Sequence, residues 1–116
     1  MRFFTSLKHA YRGLKEVVTT EKNFQIELII GLLALFGAWA FPLELTERVV
    51  IILVVLFVLV LELLNSAIER LVDWHIPKLD ALARMIKDIM AAAVLLASIF
   101  ALGIGIFIFY PYLKDF

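Results

Sequence analysis

The chain has 116 residues, of which 64% are hydrophobic, and its mean hydropathy is +1.01. Soluble domains are about 45–50% apolar, so this composition excludes a soluble domain and predicts a single integral membrane domain over residues 1–116. Eleven Lys and Arg balance eleven Asp and Glu, which gives no reason to expect a nucleic-acid partner, and the absence of cysteine excludes disulfides and thiol chemistry.

Residues 3–20 are predicted to form an amphipathic helix on the membrane surface. Apolar side chains recur there at helical spacing with basic residues between them: Phe4, Leu7, Tyr11, Leu14 and Val18 against Lys8, Arg12 and Lys15. The segment lacks the early apolar core of a cleaved signal peptide, so we expect it to be retained.

Three apolar segments are predicted to cross the membrane, at residues 23–41, 46–73 and 80–110. The second is uncharged only from 49 to 61, about 20 Å of helix, so it must continue into a polar stretch to complete the crossing. Thr46 and Asp80 are the predicted N-caps of the second and third spans, and Pro77 breaks the helix between them. The predicted fold class is therefore an all-α membrane protein with one surface helix and three transmembrane helices.

Lys and Arg are concentrated on one side of these spans. Five precede the first span and four lie in the 70–88 segment around the second loop, against one in the 42–48 turn and one in the C-terminal tail. The positive-inside rule therefore predicts that the N-terminus and the second loop are cytoplasmic, on the side that holds ATP.

The end of the second span carries a polar stripe. Glu62, Asn65, Glu69 and Asp73 fall at i, i+3, i+7 and i+11, which places them on one helical face about 80° wide. Ionisable groups beside hydrocarbon are costly and are usually kept for a function, although a helix-end ion pair is the structural alternative. Such oxygen ligands can each hold a hard cation such as Mg²⁺ that also takes phosphate oxygens.

Lys87 and Asp88 come directly before the uncharged part of the third span. Lys87 would supply positive charge to a transferring phosphoryl group there. Glu27, inside the first span, has a structural alternative in an ion pair with Lys22. The residues alone leave two functions open: a membrane enzyme that uses ATP and Mg²⁺, or a proton- or cation-translocating subunit with an intramembrane Glu path. Clustering of the carboxylates at the cytoplasmic interface favours the enzyme. A monomer with only three transmembrane helices is small for either function, so we expect an oligomer.

Four motifs stand out along the chain: R-G-L at 12–14, T-E-K-N-F-Q-I-E at 20–27, E-x-x-N-S-A-I-E-x-x-V-D at 62–73 and K-D-x-x-A-A-A-V-L-L at 87–96. They resemble the prokaryotic diacylglycerol kinase family, which also contains undecaprenol kinases, and the resemblance covers nearly the whole chain. It implies a homotrimer in the bacterial plasma membrane, with active sites shared between neighbouring subunits. It also implies transfer of the γ-phosphate of MgATP to the hydroxyl of a membrane lipid.

The resemblance implies roles for single residues as well. Glu62 resembles the catalytic base that takes the proton from the lipid alcohol. The other implied roles are metal ligation by Glu21 and Glu69, nucleotide contacts from these two and from Arg2, Lys87 and Asp88, and support from Asn65, Glu27 and Asp73. His9 and the 74–83 segment depart from the family pattern, which leaves their contacts to the nucleotide open.

Undecaprenol is predicted as the acceptor in preference to diacylglycerol. T-E-K-N-F-Q-I-E and the Pro-Tyr-Leu near the C-terminus look more like the undecaprenol kinase branch. The product would then be undecaprenyl phosphate; with diacylglycerol as acceptor it would be phosphatidic acid.

Overall fold

The computed structural model describes residues 2–77 and 79–115, and these residues form four α-helices: α1 (Arg2–Thr20), α2 (Lys22–Ala40), α3 (Leu45–His75) and α4 (Ala81–Leu113). The last three are long and apolar enough to cross a membrane. The all-helical membrane fold is therefore confirmed. Lys78, within the 74–83 segment, lies outside the described residues.

Of the two N-caps predicted from the sequence, the structure confirms the one at α4 and contradicts the one at α3. Asp80 caps α4, because its carboxylate accepts from the backbone N–H groups of Leu82 at 2.7 Å and Ala83 at 3.4 Å. The prediction of Thr46 as the N-cap of α3 is wrong, since the N-cap is Glu44. The backbone N–H of Glu44 donates to the Glu47 carboxylate at 2.9 Å, and the Glu44 carboxylate accepts from the backbone N–H of Glu47. This reciprocal pair is a capping box, and it sets the start of the helix at Leu45.

The long helix α3 packs along both α2 and α4, and α1 contacts α2 and α3. Gly31 permits a close approach of α2 to α3: a Cβ atom at this position would lie 2.8 Å from Cγ1 of Val55. With 31 residues, α3 is about 46 Å long, which exceeds the roughly 30 Å hydrocarbon core. Its C-terminal turns, which carry the polar stripe, therefore lie near or beyond one edge of that core.

Hydrogen bonds between helices fasten the opposite end of the bundle. Arg48 on α3 donates to the carbonyl oxygens of Ala38 at 2.8 Å and Phe41 at 3.3 Å, which provides partners for carbonyls at the end of α2. The Tyr112 hydroxyl on α4 donates to Glu47 at 2.6 Å. These contacts hold the three spans together far from the stripe.

Candidate active site

Glu62 is the most deeply buried carboxylate on the polar stripe. It is 5% exposed, and Ser66, one turn further along α3, is 4% exposed. Among the described residues, the Oε2 atom of Glu62 has no hydrogen-bond partner. Because an unpaired buried carboxylate oxygen is costly, this atom is available to a proton or a ligand from outside the described chain.

Asn65 and Glu69 form a hydrogen-bonded pair on the same face of α3. The Asn65 amide donates to Oε1 of Glu69 at 3.0 Å, and both side chains are half-buried. The carbonyl oxygen of Asn65 is buried and unpaired within the described ranges. The stripe therefore offers two buried oxygen acceptors, one on Asn65 and one on Glu62.

Carboxylates from other elements also surround Glu62. Glu27 on α2 and Glu21 at the N-cap of α2 lie near enough, as does Glu69, for their negative charges to act on Glu62. Four of the predicted carboxylates, from two helices and the α1–α2 junction, are thus near enough for three of them to act electrostatically on Glu62. A concentration of negative charge beside an apolar bundle attracts a cation.

Arg70 ties this group to the surface helix. Its guanidinium donates from Nη2 to Oε2 of Glu21 and to the Thr20 hydroxyl, both at 3.1 Å, and its Nη1 lies 3.7 Å from Oε2 of Glu16. Arg70 is not among the site residues that the sequence predicts. The only local signal is its position next to Glu69, since Glu21 is 49 residues away in the chain.

Lys87 and Asp73 form an ion pair that joins the end of α3 to the start of α4. The pair borders a hollow of about 490 Å³ at this junction. The hollow is lined by Asp73, Ile76, Ala83, Arg84, Lys87 and Asp88. Lys87 and Asp88 therefore lie at the same hollow as Asp73. Arg84 is a second cation at this hollow and is not among the predicted site residues.

Arg2 and His9 lie apart from these groups. Both are exposed on α1, a helix of 19 residues and about 28 Å. Arg2 begins the helix whose other end carries Thr20, so the single chain separates it from Glu21. Its contact to a nucleotide stays a prediction.

The donor atoms of the site suit a hard cation, although the described chain does not complete a metal site. No three His, Asp or Glu side chains in the described ranges lie close enough together to hold a metal ion. The available donors are carboxylate and amide oxygens, which magnesium prefers, and two of them, on Glu62 and Asn65, are buried with no partner in the described part of the chain. Magnesium usually takes only one or two carboxylates and fills its shell with water and phosphate oxygens, so the residues fit a metal bound together with a nucleotide.

Fold and site together define an integral membrane protein of three spans, with a carboxylate-rich site at one end of an apolar bundle. The sequence model described as "Prokaryotic diacylglycerol kinase" matches residues 8–109. The chain therefore belongs to the prokaryotic diacylglycerol kinase family, as its motifs predicted. It is a membrane lipid kinase, and an enzyme of this kind requires a nucleotide phosphate donor.

Similar proteins carry both names of the family. The chain is 38% identical over 110 residues to the undecaprenol kinase of Bacillus subtilis (strain 168), covering 95% of this chain and 89% of the relative. It is 36% identical over 101 residues to the diacylglycerol kinase of Synechocystis sp., covering 86% of this chain and 58% of that one. It is 34% identical over 100 residues to the diacylglycerol kinase of Escherichia coli (strain K12), with coverage of 86% and 82%.

Proposed function

We propose that the protein transfers the γ-phosphate of ATP to the hydroxyl of undecaprenol, giving undecaprenyl phosphate. The observation that carries the chemistry is the buried carboxylate oxygen of Glu62, which lies at the polar end of an apolar bundle and has no partner within residues 2–77 and 79–115. The choice of lipid is supported by T-E-K-N-F-Q-I-E at 20–27 and by 38% identity to an undecaprenol kinase over nearly the whole chain.

Glu62 is proposed as the general base. Its Oε2 atom accepts the proton of the lipid hydroxyl while that oxygen forms a bond to the γ-phosphorus. The bond between the γ-phosphorus and the bridging oxygen breaks, and ADP leaves. Because Glu62 is buried beside apolar helices, it can meet a hydroxyl whose hydrocarbon chain remains in the membrane.

Glu21 and Glu69 are proposed to hold Mg²⁺ together with phosphate oxygens of the nucleotide. Bound Mg²⁺ would neutralise phosphate charge and orient the transferring group. Asn65 fixes one oxygen of Glu69 by its hydrogen bond and so orients that carboxylate. The remaining assignments are nucleotide contacts from Arg2, Lys87 and Asp88 and support from Glu27 and Asp73.

Lys87 is proposed to offset the charge that develops on the phosphoryl group. Its ammonium group is held by Asp73 at the hollow between α3 and α4, which positions a cation beside the stripe. Oriented positive charge of this kind lowers the barrier to phosphoryl transfer because it needs little reorganisation during the reaction.

We place the N-terminus and the site on the cytoplasmic side of a bacterial plasma membrane, in a homotrimer with sites shared between subunits. The distribution of Lys and Arg supports the orientation. The incomplete ligand set of the described single chain is compatible with a site that a neighbouring subunit completes.

The test is phosphoryl transfer from γ-labelled MgATP by the purified protein in mixed micelles, with undecaprenol and diacylglycerol offered separately and in competition. We expect labelled undecaprenyl phosphate to dominate, and the Glu62→Gln variant to label neither lipid. Dominant phosphatidic acid would reverse the choice of acceptor. Label in neither lipid with the unmodified protein would contradict the proposed reaction.

A further inference from the structure

Arg70 contacts the carboxylate of Glu21, which the proposed function assigns to the metal ion. Its Nη2 atom lies 3.1 Å from Oε2 of Glu21, and its side chain reaches this position from the residue next to Glu69. The guanidinium stays charged at all physiological pH values, so a metal ion that approaches Glu21 alone meets a fixed positive charge. Arg70 therefore competes with a cation at Glu21.

The contacts of Arg70 allow it to change partner. Its side chain is 39% exposed, and those of Glu21 and Glu16 are 31% and 57% exposed. Ion pairs between partly exposed side chains are individually weak, so a stronger ligand can displace one of them. Thr20, the third contact, is a neutral acceptor.

A metal-bound nucleotide brings a new partner for each member of the Arg70–Glu21 pair: the metal ion for Glu21 and the phosphate oxygens for Arg70. Arginine binds phosphate oxygens in a forked geometry and with charge assistance, more strongly than it binds a single exposed carboxylate. We propose that Arg70 exchanges Glu21 for the phosphates of the nucleotide when the metal is delivered, so that metal and nucleotide bind interdependently. The inference rests on the proposed function, in which Glu21 is a metal ligand and ATP is the donor.

Direct binding measurements test the exchange. Mn²⁺ serves as a paramagnetic probe of the Mg²⁺ site, measured by electron paramagnetic resonance on the full chain in micelles, with and without β,γ-methylene-ATP. Arg70→Gln should bind Mn²⁺ alone more tightly than the unmodified protein, because the competing charge is gone. It should bind the nucleotide analogue about tenfold more weakly, which corresponds to the loss of one charge-assisted contact.

Matched variants separate exchange from a structural role. Lys15→Gln removes one positive charge from the exposed face of α1 and should change neither affinity. Adding Glu21→Gln to Arg70→Gln should abolish the gain in Mn²⁺ affinity. Arg70→Lys keeps the charge but loses the forked guanidinium that suits phosphate oxygens, so its two affinities should fall between those of Arg70→Gln and the unmodified protein.

If the Mn²⁺ and nucleotide affinities of Arg70→Gln shift in the same direction, or do not shift, the proposed exchange is wrong. Loosening of α1 alone would weaken the binding of both ligands. Failure of the proposed function looks different: the unmodified protein would then bind no Mn²⁺–nucleotide and label no lipid. Intact binding and transfer without opposed shifts in Arg70→Gln would reject this inference alone.

Discussion

At the level of single residues, the environment of Glu62 distinguishes it from the other carboxylates. It is 5% exposed, and its Oε2 atom has no partner among the described residues, whereas Glu47 at the opposite end accepts hydrogen bonds from Tyr112 and from the backbone of Glu44. A buried carboxylate without a partner destabilises the fold. A structural role would leave the Glu62 carboxylate paired, as that of Glu47 is, so this environment favours a chemical role.

Replacement of Glu62 by Gln should therefore remove activity without unfolding the protein. The amide has nearly the same shape, costs less to bury and cannot accept the proton, so we expect phosphoryl transfer to fall by about 10²–10⁴-fold. Thermal unfolding in detergent should occur at the same temperature or higher. Asp115→Asn, the corresponding change of a carboxylate to an amide at an exposed position near the opposite end of the bundle, is the control. A Glu62→Gln enzyme with unmodified turnover would remove Glu62 from the mechanism.

At the level of helices, the position of the site depends on how closely α2 packs against α3. Glu21 and Glu27 belong to α2 or its N-cap and Glu62 belongs to α3, so the spacing between these helices sets the distances among the carboxylates. Gly31 lies at the close approach, where an added Cβ would lie 2.8 Å from Val55. Small residues permit such contacts between transmembrane helices.

Gly31→Val should therefore push α2 away from α3. Overpacking of a close contact costs about 1–3 kcal/mol, and we expect a lower unfolding temperature in detergent together with reduced phosphoryl transfer. Gly103→Val is the matched control on α4, because a Cβ at Gly103 would lie within 4 Å of none of the other described side chains. Equal effects of the two substitutions would show that the α2–α3 contact does not set the geometry of the site.

At the level of the whole molecule, the described residues of one chain contribute parts of the proposed site without forming a complete metal site. Lys87 is paired with Asp73, and Asp73 lies 11 residues along α3 from Glu62, a rise of about 16 Å. Large apolar side chains such as Phe107, which is 82% exposed, cover the sides of the bundle and suit lipid or a neighbouring subunit. The proposed homotrimer would bring the site residues of adjacent chains together.

Mixing two inactive variants tests this arrangement. Glu62→Gln and Lys87→Met are each expected to lose transfer; if a working site takes these two residues from different chains, mixed oligomers contain some sites with both residues intact. Co-expression should then recover a measurable fraction of the unmodified rate, while separately purified variants mixed without subunit exchange should recover none. No recovery in verified mixed oligomers would contradict shared sites.

Local patterns in the sequence predict much of this fold. Hydropathy predicts the three spans because each must satisfy its backbone hydrogen bonds internally in hydrocarbon, and helical periodicity predicts the stripe of Glu62, Asn65 and Glu69. The Asp80 cap is predicted by the same local chemistry. Thr46 is not the cap because Glu44 and Glu47 form a reciprocal pair, which is a competing local signal in the same segment.

The sequence by itself determined the class of protein, the helices and the residues of the stripe, because these follow from composition and from spacings of a few residues. Only the tertiary structure decided which stripe residue is buried and what each charge contacts. The partners Arg70 and Glu21 are 49 residues apart, and Lys87 and Asp73 are 14 apart on different helices. Such contacts depend on how helices pack and on where chain connections place their ends, and no periodicity within one helix encodes that geometry.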